Sequence, residues 1–217
     1  MKAKPLDDRM RYRARPKATA KQIVATTQRY VLPVLLAVAT VAYYARDAYY
    51  FDNGKGGQGW RIGQPKASLF NANNTRSLPQ LRQFALSLVN CDRQLNGLPP
   101  LVEDPLLSQA AQQHSQDMLT RRYYAHITPE GKTPTDRLAQ LGGKGGVGEN
   151  IMQQTGSMGV SLNYGLLERF QKSWMYSKGH RQNLLKPDYT RFGYGIVVDP
   201  LSGQTYAAQG FALPAPP

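Results

Sequence analysis

The sequence predicts an α+β domain behind an N-terminal membrane-anchor helix, and three patterns carry that expectation. Four segments between residues 79 and 178 place apolar residues at helical spacing, several of them opened and closed by residues that favour helix ends. One pair of strand-like runs follows near the C-terminus, joined by a turn. Ahead of all of these lies a single uncharged apolar run with a basic head before it.

The head comes first. Residues 1–30 hold nine Lys/Arg against two Asp, so more than half of the chain's net charge of +13 sits there. No apolar period runs through MKAKPLDDRMRYRARPKATAKQ, and the head is expected to be disordered. The run VLPVLLAVATVAYYA, residues 31–45, carries no charge, with Arg29 before it and Arg46–Asp47 after. Fifteen helical residues reach about 22 Å, against a hydrocarbon core of about 30 Å. Tyr30 on one side and Tyr43, Tyr44, Tyr49 and Tyr50 on the other extend the run as an aromatic belt, giving a transmembrane anchor over 31–51. A buried soluble helix would show a polar face, which this run lacks. Ala37-Val38-Ala39 comes too early for a signal-peptide cleavage site, and Tyr43-Tyr44-Ala45 puts a bulky ring where a small residue belongs. An uncleaved anchor is therefore favoured; cleavage would make the protein secreted instead. The positive-inside rule puts the head in the cytoplasm and the C-terminal domain outside, as a single-pass protein of the cell membrane.

Residues 52–78, DNGKGGQGWRIGQPKASLFNANNTRSL, are rich in Gly and Asn and read as a stalk. Trp60, Ile62, Leu69 and Phe70 are too many apolar residues for a plain spacer, so part of the stalk is expected to lie against the domain. The compact domain spans 79–212, with a tail at 213–217. Its first helix, PQLRQFALSLVNCDRQLNGL, stops at Asn96–Gly97; the second starts at Asp104-Pro105, an N-cap followed by an N1 proline. A short third helix follows Thr133-Pro134. The fourth runs from Met158 to Ser177 and stops at Lys178–Gly179, which leaves His180 in a glycine turn. FGYGIVVDPLSGQTYAAQGFA gives the two strands, with the turn at Asp199-Pro200 and Ser202-Gly203. No internal repeat is present.

Charge and cysteine content narrow the function. Residues 79–217 carry thirteen Lys/Arg against ten Asp/Glu with no basic face interleaved with aromatics, so nucleic acid is not an expected partner. The lone Cys91 cannot staple its own chain, and its place in an apolar helical run makes it a small buried hydrophobe rather than a nucleophile.

The candidate site residues are His114, His126, Glu149, Ser177 and His180. His114 lies on one side of the second helix, four residues before Met118, and reads as a hydrogen-bonded core histidine. Glu149 follows the glycine-rich GGKGGVG, which lacks the Lys-Ser/Thr ending of a phosphate loop. Two histidines and a carboxylate from separate segments would suit a divalent metal with open positions, an acid–base pair, or a hydrogen bond pinning two loops. No H-x-x-x-H spacing favours the metal, and no G-x-S-x-G elbow supports Ser177 as a nucleophile. On spacing alone, structural pinning ranks above a binding pocket, and a pocket above catalysis.

Five segments in order carry a family resemblance: LVNCDRQLNGLPPLVEDPLLSQAAQQHSQDM, YYAHITPEGKTPTDRLAQLG, GENI, SWMYSKGHRQNLLKPDYTRFGYG and YAAQGF. Together they resemble the CAP superfamily (cysteine-rich secretory proteins, antigen 5 and pathogenesis-related 1 proteins, also called SCP-like extracellular domains), and its bacterial branch in particular. The resemblance covers roughly residues 80–212. It implies an α–β–α sandwich with a central cleft lined by two histidines and two acids. His126 matches the first histidine, Glu149 the first acid and His180 the second histidine, while Ser177 stands where many members carry the second acid. The resemblance also implies that Asn150 and a turn at Gly148 order the cleft floor, and that Arg181 and Asn183 bond neighbouring backbone.

From this follows a bacterial envelope protein whose His/Glu-lined cleft binds a lipid, glycan or peptidoglycan fragment, with no cofactor required, no catalytic residue assigned and the membrane as partner through the anchor. The alternatives are a metal-assisted hydrolase of cell-wall or protein substrates, with a divalent metal such as zinc held by His126, Glu149 and His180, and a purely structural envelope component.

Overall fold

The computed structural model describes residues 27–31, 33–35, 59–68 and 71–215. The chain divides into two units, Met1–Tyr50 and Phe51–Pro217. In the first, Thr27–Val31 forms a π-helical turn, Pro33–Leu35 is helical, and Val31, Val34 and Leu35 are exposed. No helix among the described residues is long and apolar enough to cross a membrane. The basic head up to residue 26, most of the expected anchor and the start of the expected stalk lie outside the described residues.

Among its described residues the second unit holds five helices and a four-stranded sheet. Helix α1 is Leu78–Leu95 and α2 is Pro105–Arg121, with β1, Val102–Glu103, between them. Then come α3 (Pro134–Gln140), β2 (Val147–Gln154), α4 (Tyr164–Tyr176), α5 (Lys178–Leu184), β3 (Arg191–Val198) and β4 (Thr205–Ala212). Local chemistry explains the starts. Asp104 accepts from the backbone N–H groups of Leu106 and Leu107, Thr133 and Asp136 form a capping box, and Asn163 accepts from Leu166. The sheet order is β1-β3-β4-β2; β3–β4 and β4–β2 are antiparallel and β1–β3 parallel.

Period-two alternation sorts the sheet's side chains to two helical layers. Phe192, Tyr194, Ile196, Ala207 and Phe211 join the core built with α1 and α4, through Leu81, Val89, Leu166, Phe170 and Trp174. Ile151, Tyr206 and Ala208 point the other way, onto Ala111 and Met118 of α2. On that second face β3 presents Gly193 and Gly195 before Val197: a Cβ on Gly193 would lie 2.2 Å from the Leu107 backbone, and one on Gly195 2.2 Å from the Gln112 nitrogen. These glycines let α2 lie directly on the sheet. The result is the α–β–α layering the resemblance implies.

Three local expectations are corrected. Helix α4 starts at Tyr164, not Met158, because the Asn163 cap fixes the start and Gly159 sits at φ 87° in a turn before it. Gly179 and His180 lie within α5 rather than in a turn, since Ser177 ends one helix and opens the next. Residues 147–154 form a strand, so Gly148 is a strand residue paired with Phe211 rather than a turn. Gly148 has its own reason to lack a side chain: a Cβ there would meet the Tyr189 hydroxyl at 2.3 Å.

Part of the expected stalk does lie on the domain. Ile62 is 2 % exposed and belongs to the main core. Two carboxylates hold this strap down: Asp92 Oδ1 accepts from the Gly63 N–H at 2.7 Å, and Glu168 Oε1 accepts from the N–H groups of Lys66 and Ala67 at 2.6 and 2.8 Å. Gly63 fits against Cys91, whose Sγ would stand 2.8 Å from a Cβ there. Cys91 is a free, partly buried thiol under the strap.

Candidate functional site

His126 reaches the site by way of a left-handed helix cap. Helix α2 ends at Arg122, φ 57°, whose backbone N–H donates to Met118, and the chain then turns back over the helix. His114, 1 % exposed on α2, catches the returning loop: its Nε2 lies 3.0 Å from the Ala125 carbonyl, which fixes the proton on Nε2 because a carbonyl only accepts. Arg137 on α3 secures the next residue, donating to the His126 carbonyl at 2.8 Å.

Glu149 comes from β2 and joins these groups. One oxygen accepts from His126 Nδ1 at 2.9 Å; the other accepts from the Arg137 guanidinium. His114 Nε2 stands 3.9 Å from the same oxygen that His126 uses. The Glu149 side chain is 6 % exposed, whereas that of His126 is 50 % exposed. A carboxylate accepts only, so His126 carries its proton on Nδ1 and, when neutral, a lone pair on Nε2.

His180 lies on α5. It is half-buried, and its Nδ1 is sealed from solvent without a hydrogen-bond partner among the described residues. Burial lowers its pKa, and positive charge on His126 lowers it further. Burial also lowers the pKa of His114, against the opposing pull of Glu149. Both are therefore held towards the neutral form.

Ser177 stands apart. It is the residue shared between α4 and α5; its carbonyl accepts from Arg181 N–H, and its hydroxyl makes no hydrogen bond among the described residues. The structure thus brings His126 and Glu149 into contact and His180 alongside, and leaves Ser177 outside the hydrogen-bonded cluster. It also adds two members that spacing does not disclose in that role, His114 and Arg137.

A buried chain of amides anchors the cluster. Asn183 Nδ2 donates to the Glu149 carbonyl (3.1 Å) and to Asn150 Oδ1 (2.9 Å); Asn150 Nδ2 donates to the His180 carbonyl (3.2 Å) and to Gln209 Oε1 (3.1 Å). Gln209 Nε2 then donates to Gln171 Oε1 at 2.9 Å, and Gln171 Nε2 to Asp92 Oδ2 at 2.6 Å. A carboxylate at one end and backbone carbonyls at the other only accept, so every amide between them must point the same way. Arg181 donates to the Met175 carbonyl. Asn150, Asn183 and Arg181 therefore have the backbone-ordering contacts that the resemblance implies.

As arranged, Glu149 has no oxygen free of a hydrogen bond from His126 or Arg137, and Ser177 supplies no carboxylate. No group of three or more His, Cys, Asp or Glu among the described residues is placed to share a metal.

Comparison with known proteins decides the family. A family model described as "CAP: Cysteine-rich secretory protein family" matches residues 86–211, more than half of the chain. The chain belongs to the CAP family. It is similar to YkwD of Bacillus subtilis (strain 168), 33 % identical over 135 residues that make up 60 % of this chain and 49 % of that one. It is also similar to YlbC of the same organism, described as a membrane protein, at 32 % identity over 111 residues, 51 % of this chain and 30 % of that one. Among solved structures, an extracellular protein containing an SCP domain from Bacillus anthracis matches with a TM-score of 0.50 and 29 % identity over 62 % of this chain and 41 % of that chain. An outer surface protein of Borrelia burgdorferi shares the fold, with a TM-score of 0.51 at 16 % identity, over 65 % of this chain and 98 % of that one. The chain spans about half or less of the length of the Bacillus proteins it matches.

Proposed function

We propose that this CAP protein is a ligand-binding or interaction module of the bacterial envelope, anchored by the apolar run at 31–51 with its CAP domain outside the cytoplasm. The cleft wall formed by His126, Glu149 and His180 would be the recognition surface, for a lipid, a glycan or a peptidoglycan fragment. One observation carries this reading: the cluster pairs a buried, fully engaged carboxylate with a histidine left half in solvent. Glu149 costs energy to bury and spends both oxygens on Arg137 and His126, so its task is to orient. His126 then offers Nε2 outward as a hydrogen-bonding group of defined tautomer. The extracytoplasmic location draws support from the basic head and from the extracellular description of the Bacillus anthracis relative.

The absence of a carboxylate at Ser177 and the engagement of Glu149 favour binding over metal-assisted hydrolysis, and no catalytic step is assigned to these residues. The test is native mass spectrometry of the detergent-solubilised full chain with phosphatidylglycerol, a chitin oligosaccharide and a muropeptide. At least one is expected to bind the wild type and to be lost in a His126→Ala/His180→Ala variant. Equal binding of all three by both proteins would refute the cleft as the site.

A purely structural role for the cluster is the second reading, favoured by the 6 % exposure of Glu149. Under it, the histidine variant would lose stability and no ligand.

A further inference from the structure

A second surface lies where the strap meets α5, lined by residues other than the histidines. Residues 172–186 carry Lys172, Lys178, Arg181 and Lys186 and no carboxylate; the neighbouring Asp188 is the next acid. Arg181 sits over the face of Trp60, 4.3 Å from the ring centroid, and Tyr176 meets Trp60 edge-on at 5.2 Å. Lys172 stands over Tyr176. Lys178, Arg181 and Lys186 form no ion pair among the described residues, and Arg181 donates to the Met175 carbonyl. Gly59, Trp60, Lys178, Arg181, Leu185 and Lys186 line an open groove of about 430 Å³. Tyr176 is 44 % exposed and Lys178 and Lys186 are not buried, so the face is available.

We infer that this Trp60–Arg181–Lys178–Lys186 face docks on an anionic lipid surface, holding the domain against the outer leaflet of its own membrane. Unpaired cations beside an amphipathic indole and phenol match the chemistry of a headgroup layer: lysines neutralise phosphate, and Trp and Tyr occupy the zone between water and acyl chains. Cation–π contact keeps the Trp60 ring and the Arg181 charge together at one spot. The tether adds an independent argument. Gly59 lines the groove itself, and seven residues, 52–58, separate it from the anchor run at 31–51. Seven residues extend at most about 25 Å, so a membrane-held run would keep this face within that reach of the bilayer. The tether argument rests on the anchor proposed above; the charge and aromatic arguments do not.

The full chain is incorporated into vesicles of phosphatidylcholine, alone or with phosphatidylglycerol at about 3:1, each containing brominated phosphatidylcholine as a quencher. Trp174, the other tryptophan, is 1 % exposed, so a change in quenching reports Trp60. Quenching is expected to be about twofold stronger with phosphatidylglycerol. It should fall to the phosphatidylcholine level in about 1 M NaCl, where the Debye length is about 3 Å, and in a Lys178→Glu/Lys186→Glu variant. Quenching indifferent to lipid charge, salt and substitution overturns the docking. Flotation in about 1 M NaCl reads the anchor separately: a chain that floats with neutral vesicles but shows no charge-dependent quenching keeps the anchor and loses the docking. A chain that fails to float there, yet is quenched on anionic vesicles at low salt, does the reverse. Soluble poly(glycerol phosphate) supplies the last arm. If it shields Lys178 and Lys186 from amine labelling and anionic vesicles do not, the face belongs to a wall polymer and the lipid assignment is overturned.

Discussion

Arg137 and Glu149 show how much of this site depends on a single contact. The guanidinium, 9 % exposed, and the carboxylate, 6 % exposed, pair with each other, and Arg137 also holds the His126 backbone. Removing one partner of a buried pair leaves the other charge uncompensated, at a cost of about 3–5 kcal/mol. Arg137→Met is therefore expected to lose about that much in urea unfolding, whereas Arg137→Met/Glu149→Gln loses clearly less because no orphan charge remains. Additive losses would show that the two do not act as a pair. Residue chemistry also decides what was legible beforehand. His126, Glu149 and His180 stand out through the ordered HIT, GENI and GHR segments. Arg137 does not, because an arginine in a short capped helix looks solvent-facing until the strand that buries it is known. His114 reads as a core histidine, and it is one; its hold on Ala125 depends on the left-handed turn at Arg122, which no glycine advertises.

At the scale of elements, legibility follows how local the cause is. Helices α1, α2 and α3 begin where Ser77, Asp104 and Thr133 cap them, because a cap is settled by a few adjacent residues. Strand β2 hides because its inward polar residues are satisfied far away in sequence: Asn150 bonds Gln209 and the His180 carbonyl, so a polar run that suggests a loop is buried in the sheet. Helix α5 hides because Ser-Lys-Gly has no apolar period. The α2–β3 contact gives the clearest test at this scale. A methyl at Gly195 would meet the Gln112 backbone at 2.2 Å, and backbone cannot swing aside as a side-chain tip can. Gly195→Ala is expected to cost at least about 1–3 kcal/mol as overpacking, read as a lower midpoint in thermal unfolding. A neutral result would mean that helix and sheet part without penalty. Gly146, with nothing within 4 Å of a built Cβ, is the control, and Gly146→Ala should leave the midpoint nearly unchanged.

For the CAP domain as a whole, the strap and the histidine–carboxylate cluster are ends of one polar thread, running from Gly63 through Asp92, Gln171, Gln209 and Asn150 to Asn183. The strap end is anchored by apolar burial, so Ile62→Ala is expected to cost about 2–5 kcal/mol in the same assay, as for a core residue. The thread also sets opposing pH trends. Burial is the largest influence on Asp92 and raises its pKa to about 6, against hydrogen bonds from Gln171 and Gly63 and the charge of Lys66. Between the ordinary carboxylate value and about 6, the folded state then binds more protons than the unfolded state. Asp92's contribution to stability is thus present at low pH and lost as pH rises through that window, by about 3 kcal/mol at about 1.36 kcal/mol per unit. His114 and His180 act in the opposite sense. Their folded pKa values are lowered, so the unfolded state takes up protons first, and stability falls as pH drops below about 6.5. The wild type should consequently show a shallow profile between about pH 4 and 6. Asp92→Asn removes the acid's opposing slope and leaves those of the histidines, while costing some stability overall because an amide cannot accept from both Gly63 and Gln171. Its unfolding free energy, measured by urea titration at about pH 4, 5 and 6, is expected to rise more steeply with pH than that of the wild type, by about 2 kcal/mol between about pH 4 and 6. Parallel profiles would mean that Asp92 ionises in the folded protein as it does in the unfolded chain, and that the strap is not held by a buried acid titrating near pH 6.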